Sequence, residues 1–355
     1  MIVFDVNNTE LPSTRRRPGI REVAQAAGVS TATVDRVLNQ RPGVRAATVQ
    51  AVFQAAAELR YLPQADLYRA LQPHPMRLLF LLPAGTNRYL NMLGDYAGAT
   101  HDHTDPFNVQ CRSRFVEGFD PRILAATLLR EGKRADGIAF MALEHPVVRE
   151  AVNQLADRGV HTITLISDLS RSARAAYVGL DNRAAGRSAG LLMGRFIGPR
   201  SGRVAMIAGS RHYRGHEERE MGFQDVLYEK FPALQVIGLK EGHDDAAINY
   251  RQARQLLDQY PDLAGIYNIG GAADGVGKAL KDAGRDQDIV FIGHGLTPDT
   301  RGLLIDGTMD ALLNQNLQST ILSTVRIFAN VRAGREPMAG IEPMQISVVF
   351  SENLP

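Results

Sequence analysis

Residues 18–63 read PGIREVAQAAGVSTATVDRVLNQRPGVRAATVQAVFQAAAELRYLP, and this stretch decides how the chain begins. Ile20, Val23 and Ala24 recur at i, i+3 and i+4, a spacing that gives a short helix one apolar face. Ala27-Gly28-Val29 breaks that helix, and Gly28 is free to take the left-handed conformation of a tight inter-helix turn. Ser30 then stands as the N-cap of a second helix over Thr31 to Asn39, with Val34, Val37 and Leu38 turned inward. Pro42-Gly43 ends this unit, and Val44 to Leu59 makes a third helix whose Val49, Val52, Phe53, Ala56 and Leu59 close a miniature core. Two helices joined by a glycine turn, the second with a polar outer face, predict a helix-turn-helix.

The outward residues favour DNA over a generic three-helix bundle. Thr31, Ala32 and Arg36 share one face of the second helix. An Arg there can donate bidentately to guanine O6 and N7, an Ala methyl can meet a thymine methyl, and a Thr hydroxyl suits several base edges. Charge is distributed accordingly. Residues 1–77 hold ten Arg against six acids, whereas residues 78–355 hold thirty bases against thirty-two acids. Arg15, Arg16 and Arg17 immediately precede the first helix, where they can follow phosphates.

The string IREVAQAAGVSTATVDRVLN, followed by ELRYLP, resembles the N-terminal domain of the lac repressor (LacI/GalR) family of bacterial transcription regulators. The resemblance places Thr31 and Ala32 on the two variable base-reading positions of the recognition helix and Arg36 on its recurrent Arg. Arg17, Ser30, Thr33 and Asn39 join them as DNA-contact candidates. Two positions depart from the family pattern. Asp35 stands where a phosphate-binding Ser is usual; a carboxylate repels phosphate, so Asp35 is expected to orient Arg36 or Arg41, or to accept from a cytosine amino group. Gly19 stands where a capping Thr is usual, a change that costs only a few tenths of a kcal/mol at an N-cap. The resemblance also makes 64–76 a hinge that folds against DNA and wedges a Leu into the minor groove. Leu71 is the candidate wedge, with Leu67 the alternative because Leu71 lies one residue beyond the usual spacing from Tyr61. The eight residues from Gln64 to Leu71, closed by prolines, could make two helical turns, too few for a stable isolated helix.

From Met76 onward short apolar runs alternate with amphipathic stretches. The runs are Arg77–Leu82, Phe107–Cys111, Gly137–Met141, Val160–Ile166, Arg203–Ile207, Leu234–Leu239, Gly265–Ile269 and Ile289–Ile292. Such alternation predicts parallel sheets covered by helices on both faces, as one barrel or as two doubly wound lobes. VGLDNRAAGRSAG at 178–190 looks like the crossing between lobes of a type I periplasmic-binding-protein fold, and this resemblance selects two lobes. The expected organisation is a basic arm (1–17), a DNA-binding domain (18–63), the hinge (64–76) and an α/β effector domain (77–355). Its first lobe takes about 77–180 and 314–336, its second about 181–313 and 337–355.

The strand ends of such sheets carry ligands. Asn87 and Tyr89 follow the first strand, Asp168 follows the strand ending at Ile166, and Asn268 ends another. Arg219, three before Gly222-Phe223, falls where sugar-binding relatives place an Arg on ligand hydroxyls, and Gln315 resembles a recurrent cleft Gln. Gly293-His294-Gly295 lacks the acid many relatives carry there, so His294 or Asp168 is expected to stand in. The retained Arg219 and the missing acid lean toward an acidic or phosphorylated ligand.

Other chemistries find little support. Gly271…Gly277-Lys278-Ala279 is one residue too long for a phosphate loop and puts Ala where the magnesium-binding Ser or Thr belongs. No G-x-G-x-x-G or G-x-S-x-G occurs, His216-Glu217 does not extend to H-E-x-x-H, and His101–Asp105 reads as a polar loop before it reads as a metal site. No catalytic residue, metal or cofactor is expected. The single cysteine, Cys111, excludes a disulfide within the chain, and the start MIVFDVNNTE lacks the features of a secretory signal. These readings point to a cytoplasmic bacterial regulator, nucleoid-associated when bound to DNA. It would act as a homodimer on pseudo-palindromic double-stranded operator DNA and answer to a small effector, a sugar or sugar derivative. The alternatives are a solute-binding protein, which would lack the helix-turn-helix, and a sugar-processing enzyme with an added DNA-binding domain, which would need a catalytic constellation.

Overall fold

The computed structural model describes residues 18–39, 41, 43–61, 75–99 and 107–355. The arm 1–17 with Arg17, the linker residues 64–74 with Leu67 and Leu71, and the run His101–Asp105 lie outside the described residues. The chain separates into one unit ending at Pro75 and another running from Met76 to Pro355.

The first unit contains α1 (Ile20–Ala26), α2 (Thr31–Leu38) and α3 (Ala46–Glu58). Gly28 takes φ +66° in the turn, and the Ser30 hydroxyl accepts from the Thr33 amide at 3.2 Å as the N-cap of α2. Gly19 has no side chain with which to cap α1, and the Glu22 carboxylate reaches back instead to accept from its amide at 2.9 Å. Val23, Ala24, Val34, Val37, Val52, Phe53, Ala55 and Ala56 form the buried core. With 46 residues or so to work with, burying these small side chains on three sides of one another is what holds the unit together.

The second unit contains two sheets. The first takes β1 (Met76–Pro83), β2 (Val109–Val116), β3 (Gly137–Phe140), β4 (His161–Leu165) and β5 (Ala176–Val178) in the order β2-β1-β3-β4-β5, all parallel. Helices α4 (Arg88–Ala99), α5 (Pro121–Glu131) and α6 (Pro146–Asp157) connect them. The second sheet takes β6 (Gly202–Ala208), β7 (Leu234–Glu241), β8 (Leu263–Asn268), β9 (Val290–His294), β10 (Ala311–Asn314) and β11 (Ser347–Val349) in the order β11-β10-β9-β8-β6-β7. It is parallel except for β11, which pairs antiparallel with β10. Its helices are α7 (Asn182–Ile197), α8 (Arg214–Lys230), α9 (Ala246–Gln259), α10 (Ala273–Asp282) and α11 (Pro298–Ile305).

Helix α12 (Leu317–Arg332) returns to the first lobe, where Ile321, Val325, Ile327 and Phe328 join its core. Met338 and Ile341 also pack on that core, and Met344 touches the cores of both lobes. The chain therefore crosses between lobes after β5, after β10 and around Met344. The eight apolar runs of the sequence correspond to β1–β4 and β6–β9; β5, β10 and β11 are short strands that alternation does not reveal.

Both lobes share one winding. β7-β6-β8-β9-β10 repeats the order of β2-β1-β3-β4-β5, so each sheet has its switch point beside its first strand. Loops leaving the carboxyl ends of strands on either side of a switch point part in opposite directions and leave a crevice. The glycines of α7 and α8 set the spacing behind that crevice. A Cβ on Gly186 would lie 2.0 Å from the Arg219 carbonyl, and one on Gly222 would lie 2.1 Å from that of Arg183, so the two helices meet backbone to backbone.

Candidate functional site

On α2 the residues expected to meet DNA are open. Thr31, Ala32, Arg36 and Asn39 are exposed, Thr33 is half-buried, and Val34 and Val37 hold the helix from behind. Ser30 and Thr33 bond each other through their hydroxyls at 2.9 Å, so both serve the helix start. Asp35 accepts from the Asn39 amide nitrogen at 2.8 Å and lies 3.3 Å from the Arg41 guanidinium. Of the roles left open for Asp35, the orientation of Arg41 is the one this geometry contains.

Between the two lobes lies a cleft of about 490 Å³, its open mouth included. Asn87, Tyr89, Arg219, His294 and Gln315 all line it. Leu90, Met141, Ile166, Leu180 and Leu313 supply an aliphatic wall. Arg219 comes from α8 and is only 6% exposed. Its Nε donates to Asn182 Oδ1 at 2.7 Å and one terminal nitrogen donates to the Ile269 carbonyl at 2.8 Å. No carboxylate pairs with it among the described residues. A desolvated guanidinium without an anion is costly unless something in the cleft accepts its remaining N–H groups.

Asn182 is the hub behind Arg219. Its amide nitrogen donates to the Ile166 carbonyl and meets the Tyr177 hydroxyl, both at 3.0 Å, and the Tyr177 hydroxyl also reaches that carbonyl at 2.9 Å. Ile166 itself takes φ +63°, a conformation that β-branched residues rarely adopt. The two hydrogen bonds on its carbonyl, with its amide on the Val178 carbonyl, over-determine that backbone and turn its side chain to the cleft.

Both cleft histidines are uncharged at neutral pH. Burial pushes His216 down to about 4, against the attraction of Asp244, and burial together with the charge of Arg219 holds His294 well below its ordinary value. His294 Nε2 shares a 2.6 Å hydrogen bond with the Tyr267 hydroxyl, whose own ionisation burial raises far out of range.

Three expectations are corrected by this geometry. Asp168 does not line the cleft: Arg174 holds both its carboxylate oxygens at 2.5 Å, and Thr164 donates to it at 2.6 Å. Burial alone would raise the Asp168 carboxyl, but these hydrogen bonds outweigh it and keep it below the usual range. The acid missing at Gly293–Gly295 is supplied neither by Asp168 nor by His294. Asp244, which leaves the carboxyl end of β7, lines the cleft and is 7% exposed. The strand-end rule that singled out Asn87 and Asn268 applies equally to His243-Asp244-Asp245, so the sequence did carry the signal. Asn268 is fully buried and donates to the Gly270 and Gly271 carbonyls, shaping the loop that lines the cleft rather than lining it. His216, Ile166 and the aliphatic wall were not anticipated.

Among the described residues, no group of three or more His, Cys, Asp or Glu is placed to hold a metal, and no helix is long and apolar enough to cross a membrane.

Residues 125–336 match the family model described as Periplasmic binding protein domain, and residues 19–64 match that of Bacterial regulatory proteins, lacI family. The HTH-type transcriptional regulator CelR of Thermobifida fusca is 28% identical over 304 residues, covering 79% of this chain and 82% of that protein. The HTH-type transcriptional repressor PurR of Erwinia tasmaniensis is 28% identical over 295 residues, covering 78% and 80%. Among solved structures, the glucose-galactose binding protein GanP from Geobacillus stearothermophilus matches with a TM-score of 0.71 at 22% identity, covering 80% of this chain and all of that one. A solute binding protein from Burkholderia graminis, in complex with D-arabinose, matches with a TM-score of 0.72 at 20% identity, covering 79% and 97%. At such identities these structures speak to the fold.

Proposed function

Because this chain belongs to the Periplasmic binding protein domain family and carries a lacI-family regulatory region at its start, we propose that it is a ligand-responsive, sequence-specific DNA-binding transcription regulator. One observation carries the reading. A single chain combines an open helix face bearing Arg36 with a two-lobed cleft into which a buried, unpaired Arg219 is built.

The chain acts as a homodimer in which two recognition helices read a pseudo-palindromic operator, Thr31, Ala32 and Arg36 meeting bases. Residues 64–76 fold against the minor groove with Leu71 or Leu67 as wedge. A small polyhydroxylated molecule, a sugar or a derivative of one, binds through Arg219, Asn87, His294 and Gln315. The names of GanP and of the arabinose complex support that class, as those of CelR and PurR support transcriptional control. The ligand changes the DNA affinity only by as much as it prefers one arrangement of the lobes over the other. The chain has no catalytic role in this reading, and its place of action is the bacterial cytoplasm, where its operator lies.

The test has two stages. Thermal denaturation against sugars, sugar acids, sugar phosphates and polyols identifies a stabilising compound, since binding to the native state alone raises apparent stability. Operators selected from random duplexes by the purified protein are then titrated with and without it. A shift in operator affinity that Arg219→Ala abolishes, while unliganded DNA binding persists, is the expected outcome. Identical operator affinity with and without every stabilising compound would break the reading.

A further inference from the structure

Among the described residues Asp244 is the one acid that lines the cleft, and its seat is built. It takes φ +54°, after His243 at +53°, so two successive non-glycine residues stand in the left-handed region. Its Oδ1 accepts from the Gly271 amide at 2.7 Å. A Cβ on Gly209 or on Gly270 would lie 2.4 Å from that oxygen, so both glycines leave room for the carboxylate. The other oxygen crosses the cleft to accept from Asn87 of the first lobe at 3.0 Å. The Asp244 carbonyl crosses as well, accepting from the Thr86 hydroxyl at 2.7 Å. Asn87 is aimed from behind, because its own oxygen accepts from the Leu90 amide at the start of α4.

No cation pairs with Asp244 among the described residues, just as no anion pairs with Arg219. With His216 and His294 uncharged, the cleft holds one positive and one negative group, each bonded to neutral scaffold and each with capacity left over. We infer that Asp244 is the charge filter and inter-lobe clasp of the site. The cleft takes an uncharged, hydroxyl-bearing molecule that accepts from Arg219 and donates to Asp244, and it rejects the carboxylated or phosphorylated counterpart. Hydroxyl groups do both jobs at once. An added anion gains at Arg219 only where it escapes Asp244, and a like charge roughly 6 Å away at an effective dielectric near 20 weakens binding on the order of 100-fold. The inference rests on the cleft being the effector site, and it reverses the leaning toward an acidic ligand that the sequence alone suggested.

Calorimetric titration of the full chain with matched sets decides it: D-glucose, D-galactose and D-arabinose, each beside its sugar acid and its terminal phosphate. The wild type should bind an uncharged member on the order of 100-fold more tightly than its charged partners. Asp244→Asn keeps the shape and removes the charge, and it should narrow that ratio to within about tenfold, chiefly by gaining the charged members. Asn87→Ala removes the side-chain half of the clasp, leaves Thr86 on the Asp244 carbonyl and keeps the charge, so it should weaken all members alike and leave the ratio as it was. Melting curves of each variant establish that it is folded. Charged members that bind the wild type as tightly as uncharged ones, an unchanged ratio in Asp244→Asn, or no uncharged member binding at all would each overturn the inference. Binding that survives Arg219→Ala would instead remove the cleft as the effector site, a failure of the underlying reading and not of the role of Asp244.

Discussion

The recognition face of α2 and the cleft between the lobes are both surfaces for reading another molecule, but they are built in opposite ways. Thr31, Ala32 and Arg36 come from two turns of one helix and stand in solvent. Arg219, Asp244, Asn87 and His294 come from four separate elements, and each is already hydrogen-bonded to its own protein. A face of the first kind performs one task, contact with the partner. A residue of the second kind performs two, since the bonds that aim it also hold the fold. Stability and binding should therefore separate cleanly on α2 and move together in the cleft.

Gly186→Ala is the strongest test of the coupled half. Its added methyl runs into the Arg219 carbonyl, and overpacking against backbone of this kind costs upwards of about 3 kcal/mol. Melting temperature and ligand-induced stabilisation should both fall; a variant that melts lower yet binds normally would uncouple them. Acid should act on the same region. The folded value of His216 near 4 lies below the unfolded 6.5, so the unfolded chain binds more protons between these limits. The stability contributed by neutral His216 is fully present above about pH 6.5 and lost as pH falls toward 4, roughly 3 kcal/mol in all. Chemical denaturation across this window, compared with His216→Gln, isolates the effect, and parallel profiles for the two proteins would refute it.

Asn182→Ala sharpens the comparison, because Asn182 does not line the cleft. It should strand Arg219 Nε and loosen the Ile166 carbonyl, lowering stability by about 2 kcal/mol and weakening ligand binding together. Full ligand affinity in this variant would mean that Arg219 is positioned from elsewhere. Arg36→Ala probes the open half. It should cost about 1–3 kcal/mol of operator binding and relax preference at one base pair, with no measurable change in melting temperature. Equal losses on every duplex would reduce Arg36 to a phosphate contact.

The same contrast governs what could be read in advance. Helix periodicity alone puts Thr31, Ala32 and Arg36 on one outer face, so a string of fifty residues was enough. For the cleft, the rule that strands present ligands at their carboxyl ends singled out Asn87 and Tyr89, and both line it. The rule failed for Asp168 because a neighbouring Arg174, six residues on, captures it through a loop whose path no periodicity describes. Asp244 satisfies the rule as well, but it leaves the end of β7, away from the family position of the acid at His294. Ile166 was hidden for a different reason: its left-handed backbone is imposed by Tyr177 and Asn182, and a β-branched residue gives no sign of accepting it. The strands β5, β10 and β11 span three or four residues and were not among the apolar runs, whereas the equally short β3 lies in the unbroken run Gly137–Met141.

The backbone contact between α7 and α8 has a consequence for how such a cleft can diversify. Arg219 rides on a helix whose distance from its neighbour is set by two missing side chains, at Gly186 and Gly222. Retuning the site is then open along one route and closed along another. Exchanges at Met141, Leu180 or Leu313 reshape the wall and leave the guanidinium where it stands. Any step that adds a single carbon at either glycine displaces the guanidinium first. A lineage exploring new ligands from this sequence would keep the same anchor and vary what surrounds it.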